Sequence, residues 1–245
     1  MTRPLVLVHG FTGWNTSWDR VKAGLRTHSR CISPLGHSGP NELEDRVRCW
    51  DDELGRIVSL MPPEPVHLAG YSLGARLALG IALAFPARVA RLTLISGHTG
   101  LPTEAERTER RASDARWCAL LETEGIAGFV ESWEAQPLFA TQARLSASLR
   151  AEQRAIRLSH DPHGLVRALR VIGLAEMPDY ATRLASLAAP LTVLVGELDA
   201  KFLALGRAAS ERSPNGRLVV VPNAGHDLLL ERPDLVALVL SEPTA

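Results

Sequence analysis

The sequence predicts an α/β fold, a mostly parallel doubly wound sheet with an inserted helical cap. Three observations predict it. Short apolar runs recur along the chain, helical segments separate them, and one connection is far longer than the others. The runs are "PLVLVHG" (4–10), "RCIS" (30–33), "PVHLAG" (65–70), "RLTLISG" (91–97), "PLTVLVG" (190–196) and "RLVVVP" (217–222). They are short and almost wholly apolar, as strands buried on both faces are. Between the second and third, "LEDRVRCWDDELGRIVSL" spaces Leu43, Val47, Trp50, Leu54 and Ile57 by four, three, four and three, which predicts one helix with a single apolar face. Alternation of this kind gives parallel strands joined by right-handed crossovers.

The long connection separates Ser96 from Pro190, roughly ninety residues with helical patterning and no clear strand. It reads as a cap over residues 101–189, breaking at Pro137, Pro162 and Pro178. The core is then formed by residues 1–100 and 190–245. The strand ends near Gly10, Gly70 and Gly196 are expected to share one edge of the sheet, with the cap above them.

Composition narrows the function. The chain has 245 residues, 46% of them hydrophobic, which suffices for a sizeable core. Lys plus Arg and Asp plus Glu are both 27, so the basic excess of a general nucleic-acid binder is missing. Many arginines nevertheless fall between Arg107 and Arg170, in keeping with either a local anionic ligand or a solvated helical face. Cys31, Cys49 and Cys118 form no CxxC pattern; they read as buried small residues in a reducing compartment, without a disulfide or zinc site. The apolar stretch before His9 is too short for a signal peptide, and Leu77–Phe85 is too short to span a bilayer. The expectation is a cytoplasmic protein with no membrane insertion.

The chemistry centres on "GYSLG", Gly70 to Gly74. It follows a predicted strand and opens a predicted helix, the context of a nucleophile elbow in α/β-hydrolases. Only small neighbours clear such a turn, and the helix N-terminus directs the Leu73 N–H toward a developing anion. A serine needs a base, and the base an orienting acid. His226 in "PNAGHDLL" follows the last predicted strand; Asp199 in "GELDAKF" follows the preceding one, with Glu197 as the second candidate acid. Ser72, Asp199 and His226 all fall at carboxyl ends of strands, where ligands bind in such sheets. "VHGF" adds the Phe11 N–H as a second anion-directed donor, which makes His9 a structural hydrogen-bonding residue. His37 in "GHSG" receives no role. "HDPH" (160–163) has no further ligands nearby and reads as an exposed loop, leaving no metal site. Neither a Walker A pattern nor G-x-G-x-x-G after the first strand is present, so no nucleotide cofactor is expected.

Four stretches carry a closer resemblance: "GYSLGAR", "SGHTGLPTEAERTERRASDARW", "ESWEAQPLF" and "VGELDAKF". Over nearly its whole length the chain resembles the 2-succinyl-6-hydroxy-2,4-cyclohexadiene-1-carboxylate (SHCHC) synthases of menaquinone biosynthesis, the MenH branch of the α/β-hydrolase fold. It departs from their usual pattern where Ala75 replaces a glycine and in the loop "SPLGHSGP", which contains Ser33 and His37. The resemblance implies a triad of Ser72, Asp199 and His226, with Phe11 and Leu73 N–H groups as the oxyanion hole. Tyr71, Arg76, Arg110, Trp133 and Arg157 match substrate-contacting positions. The implied reaction eliminates pyruvate from a 5-enolpyruvoyl tricarboxylate and needs no cofactor. Arginines suit such a substrate because they are permanently charged and bind carboxylates in pairs of hydrogen bonds. Two other functions remain open: a serine esterase or carbon–carbon bond hydrolase working through an acyl-enzyme, and a catalytically silent binding module. The complete set of triad candidates weighs against the last.

Overall fold

Six strands make one parallel sheet in the order β2-β1-β3-β4-β5-β6, and each coincides with one of the apolar runs. They are β1 (Leu5–Val8), β2 (Ser29–Ile32), β3 (Val66–Tyr71), β4 (Val89–Ile95), β5 (Leu191–Gly196) and β6 (Gly216–Val221). The structure, a computed structural model, describes residues 3–39 and 42–242. Ten α-helices are described: α1 (Asp19–Lys22), α2 (Glu42–Asp45), α3 (Trp50–Leu60), α4 (Leu73–Ala84), α5 (Glu104–Glu134), α6 (Ala147–Leu158), α7 (Pro162–Ile172), α8 (Ala200–Arg212), α9 (Leu228–Glu231) and α10 (Pro233–Leu240). None is long and apolar enough to cross a membrane.

The two-residue period of the strands splits the core into two layers. Val6, Val8, Leu68, Leu92, Leu94, Val193 and Val195 face a cluster with Leu54, Ile57, Leu77 and Ile81 from α3 and α4. Their neighbours Leu5, Leu7, Ala69, Tyr71, Ile95 and Leu194 face the other layer, built with Trp18, Val21, Val236 and Leu240. Covering both faces is what permits an all-parallel sheet. After β1 the chain moves outward to β2, then returns to place β3 on the other side of β1. The crevice above β1 and β3 is therefore the switch point where such sheets bind ligands.

The predicted helix over 43–60 is two helices instead. Residues 46–49 are not helical, Leu43 is exposed, and Cys49 adopts an extended conformation before α3. The apolar spacing crosses this break, because Val47 and Trp50 reach the core from separate pieces. Cysteine burial also differs from expectation: Cys118 is buried, Cys31 is half-buried and Cys49 is exposed.

Between β4 and β5 the chain is helical without a strand. Thr103 caps α5 through a reciprocal capping box with Glu106. Gly125, at φ 66°, kinks α5 in the left-handed region, a break that proline positions did not announce. Pro137 opens a 3-10 turn, and Pro162 is the first residue of α7 behind the capping Asp161. A third apolar cluster, including Phe129, Leu165 and Leu169, holds α5 to α7, and Phe11 from the β1 loop packs against it. The loop after β2 meets α7 backbone to backbone: a Cβ on Gly36 would lie 2.0 Å from the Gly164 carbonyl oxygen. Arg167 of α7 donates to the Glu44 and Val47 carbonyls.

A close contact also joins α4 to the β1 end, where a Cβ on Gly74 would fall 2.1 Å from the Val8 carbonyl oxygen. Backbone on both sides leaves no soft neighbour to yield. Gly74→Ala is expected to cost at least about 2 kcal/mol, read as a lowered urea midpoint with an unchanged slope.

Candidate active site

Ser72 joins β3 to α4 with φ 51° and ψ −106°, outside the ordinary regions for a side-chain-bearing residue. Such a conformation costs on the order of 1–3 kcal/mol, so its surroundings must enforce it. Ser72 N–H is held by the Ile95 carbonyl at 2.9 Å, and its carbonyl accepts from Arg76 N–H at 3.2 Å. A Cβ on Gly70 would lie 2.2 Å from the Gly74 carbonyl oxygen, so the turn closes only with glycine there. These constraints lift the Ser72 hydroxyl above the sheet edge.

Two strand-end loops meet it. His226 Nε2 lies 3.2 Å from Ser72 Oγ, and Asp199 Oδ2 accepts from His226 Nδ1 at 2.7 Å. The carboxylate holds the proton on Nδ1, which leaves Nε2 to accept from the serine. Asp199 also caps α8 by accepting from Phe202 N–H. His226 is buried, and its carbonyl accepts from Ser96 Oγ at 2.9 Å. Glu231 fixes the same loop, accepting from Gly225 N–H at 2.7 Å and from Thr141 of the helical insertion at 2.9 Å. The second candidate acid, Glu197, is exposed and accepts from Asn223 N–H, away from the imidazole.

A cavity of about 600 Å³ opens above this chain of hydrogen bonds, between the sheet edge and the insertion. Phe11, Tyr71, Leu73, Arg76, Arg110, Trp133 and Arg157 all line it. The backbone N–H groups of Phe11 and Leu73 make no hydrogen bond among the described residues. Tyr71 packs its ring 5.6 Å from His226, and burial raises its phenol pKa well above normal. Trp133 stacks with Phe129 at 5.4 Å and meets Phe11 edge-on; its buried indole N–H has no partner among the described residues.

The three arginines differ in ways that sequence did not reveal. Arg110 is paired with Asp114, its Nε donating to both carboxylate oxygens at 2.9 and 3.0 Å. Arg157 is buried, donates to Glu134 at 2.8 Å, lies over the Phe139 ring, and keeps an unpartnered Nε–H. The Arg76 guanidinium has no carboxylate partner among the described residues; its one side-chain hydrogen bond among them is a 3.5 Å contact with the Ile172 carbonyl. Desolvation, aided by Arg110, lowers its pKa to about 9.

The alpha/beta hydrolase family pattern matches residues 5–238 of this chain. A protein of Escherichia coli O1:K1 named 2-succinyl-6-hydroxy-2,4-cyclohexadiene-1-carboxylate synthase is 32% identical, over 94% of this chain and 88% of its own length. A Bacillus subtilis (strain 168) protein that carries the same synthase name provisionally is also 32% identical, over 97% of this chain and 89% of its own length. The solved structure of MenH from S. aureus superimposes with a TM-score of 0.92 at 28% identity, covering 98% of this chain and 92% of that one. This chain belongs to the SHCHC synthase (MenH) group of the alpha/beta hydrolase family.

Several cavity and near-cavity residues escaped the sequence reading. Asp227, next to His226, is buried, and desolvation raises its pKa to about 6 despite Arg157. Its sequence signal was only the pair "HD". His160 also differs from expectation: it is buried, 5.2 Å from the His37 ring and 5.5 Å from Trp14, because the α6–α7 turn packs down onto the β1 and β2 loops. His37 accepts from Thr12 N–H and so braces the loop that carries Phe11. His9 is fully buried, donates from Nδ1 to the Gly10 carbonyl, and is held to a pKa of about 4 by desolvation.

Burial of neutral histidines makes stability fall in acid. Folding lowers the pKa of His9 to about 4, of His98 to about 4 and of His67 to about 3, each chiefly through desolvation. The unfolded chain therefore binds protons first below about pH 6.5, and the stability present above that pH is lost as pH falls through the folded values. Asp227 has the opposite sign, contributing below its unfolded pKa and losing that contribution as pH rises through about 6. The urea midpoint should drop between pH 7 and pH 5, each histidine adding on the order of 1 kcal/mol per pH unit. Asp227→Asn should make the drop steeper, because it removes the opposing group.

Proposed function

We propose that this protein is an SHCHC synthase, a carbon–oxygen lyase that eliminates pyruvate from 2-succinyl-5-enolpyruvoyl-6-hydroxy-3-cyclohexene-1-carboxylate. The observation that carries the reading is Arg76: a desolvated guanidinium with no carboxylate bonded to it among the described residues, in the same cavity as the Ser72–His226 hydrogen bond. An unpaired cation in such a place is costly unless an anion arrives to meet it. The unpartnered N–H groups of Trp133 and Arg157 add further donors for a substrate with three carboxylates. An ester hydrolase for apolar substrates has no use for that set.

In the proposed reaction Ser72 is a base and not an acyl acceptor. The substrate ring proton passes to Ser72 Oγ as the Oγ proton passes to His226 Nε2, with Asp199 stabilising the imidazolium. Charge that develops on the substrate is met by the Phe11 and Leu73 N–H groups. The electron pair left on carbon forms the new ring double bond as the carbon–oxygen bond breaks. The departing enolpyruvate takes up the proton held on His226, which restores the neutral imidazole, and the enol tautomerises to pyruvate. Tyr71 supplies a neutral phenol at the cavity wall, since its pKa lies well above normal.

The test is to supply the enolpyruvoyl precursor and follow pyruvate release. Ser72→Ala and His226→Ala should each lower kcat by roughly 10²–10⁴-fold, and the double variant should be no slower than the worse single one. Quenching wild type during turnover should give the unmodified intact mass. A kinetically competent adduct on Ser72 would instead establish acyl transfer, the course of a serine hydrolase.

The arginines should separate by their pairing. Arg76→Ala should lower kcat/KM by about 1.5–3 kcal/mol, and Arg157→Ala and Arg110→Ala by no more than that, because Glu134 and Asp114 already pair with them. Lysine at position 157 should restore part of the loss, since a point charge cannot reproduce the planar fork. Steady-state kinetics with unfolding controls checks the order.

A further inference from the structure

The anion subsite around Arg76 is incomplete if it ends at Arg76. Two further cavity residues lie outside every role assigned so far: His98 in the turn after β4, and Lys201 in the first turn of α8. His98 is 9% exposed. Gly100 N–H donates to its Nδ1 at 3.1 Å, so the ring proton of the neutral imidazole sits on Nε2. That Nε2–H has no acceptor among the described residues.

Burial and the charges around it explain why His98 is uncharged. Desolvation, followed by repulsion from Arg76, Lys201 and Arg110 and opposed by Glu106, lowers its pKa to about 4. Asp114 is already engaged by Arg110. Lys201 is exposed and has no ion-pair partner among the described residues. Its ammonium lies 5.8 Å from the centre of the Phe202 ring, which itself packs 4.4 Å from His226. Arg76, a neutral donor and a second cation thus line the same cavity, and none of the three has a hydrogen-bonded or ion-paired carboxylate among the described residues, Asp114 and Glu106 acting on Arg76 and His98 only at longer range.

We infer that His98 and Lys201 complete a carboxylate-binding subsite with Arg76, His98 as an uncharged Nε2–H donor and Lys201 as its second cation. The inference rests on the anionic-substrate reading above and gives it two more residues. A neutral imidazole suits the position: it adds a directed hydrogen bond without adding a third positive charge to the subsite.

The experiment measures substrate KM and kcat, together with the Kd of tricarballylate as an unreactive tricarboxylate probe. His98→Phe and Lys201→Ala should each raise KM and the probe Kd by roughly five- to fiftyfold, with kcat within about twofold of wild type. His98→Gln keeps an N–H donor and should recover most of the loss, which a purely structural role would not predict. In nitrogen-15 spectra, His98 should be the neutral Nε2–H tautomer, and its Nε2 signal should move when the probe saturates wild type. Unchanged KM and Kd in Lys201→Ala, with no movement of the His98 signal when the probe saturates wild type, would overturn the subsite even if His98→Phe fails to fold. The two readings fail separately. His98-dependent probe binding without pyruvate release would sink the synthase and keep the subsite; normal pyruvate release with wild-type KM in these variants would do the reverse.

Discussion

Three backbones meet at the turn that carries Ser72, and the rest of the site depends on how closely they approach. β1, β3 and the start of α4 come so near that no Cβ fits on Gly70 or Gly74. The contact fixes where α4 begins, and so where the Leu73 N–H and Arg76 lie relative to the serine. It also brings the β1 loop alongside: a Cβ on Gly10 would meet the Tyr71 ring at 2.9 Å and Ser72 Cβ at 3.3 Å. Strain at Ser72 is sustained because the flanking elements are rigid. β3 is buried along its whole length, and α4 buries Leu77, Leu79 and Ile81 completely. A loop with weaker flanks would relax and let the hydroxyl fall away from His226.

The helical insertion completes what the sheet begins. It is tied to the sheet-edge loops by contacts of different kinds: backbone packing of Gly36 on Gly164, the Thr141–Glu231 hydrogen bond, and the rings of Phe11, Phe129 and Trp133. His160 adds an edge contact to His37, which in turn holds Thr12. The loop bearing the Phe11 N–H is therefore supported from above as well as below. Such support is what allows a donor to be aimed before the reaction and to stay aimed while charge develops.

Charge inside the cavity is graded, and the gradation gives the proposed chemistry its direction. Glu134 and Asp114 moderate Arg157 and Arg110, whereas Arg76 meets only a distant carbonyl. Pairing orders the first two and lowers the repulsion among the three arginines. The unpaired guanidinium is where an incoming carboxylate gains most. Catalysis by the proposed relay then needs no change of fold, only an anion held beside the Ser72–His226 hydrogen bond.

By itself the sequence determined the framework. Six apolar runs became six strands, because residues buried on both faces must be apolar throughout and short enough to cross the sheet. It also marked Ser72, Asp199 and His226, since glycines at a turn and acids or histidines after strands are local signals. Periodicity failed where chain breaks hid within it: the 46–49 interruption preserved helical spacing, and Gly125 carried no proline to announce its kink. The charged residues could be ranked from sequence only in part. Arg110 and Asp114 stand four apart on α5, a spacing the sequence carries, but only the tertiary structure paired Arg157 with Glu134 and left the Arg76 guanidinium without a carboxylate partner among the described residues. The behaviour of His98 and Asp227, and the burial of His160 where an exposed loop was expected, were hidden for the same reason. Burial and the charge of neighbours distant in the chain decide how such groups behave, and both exist only once the chain is packed.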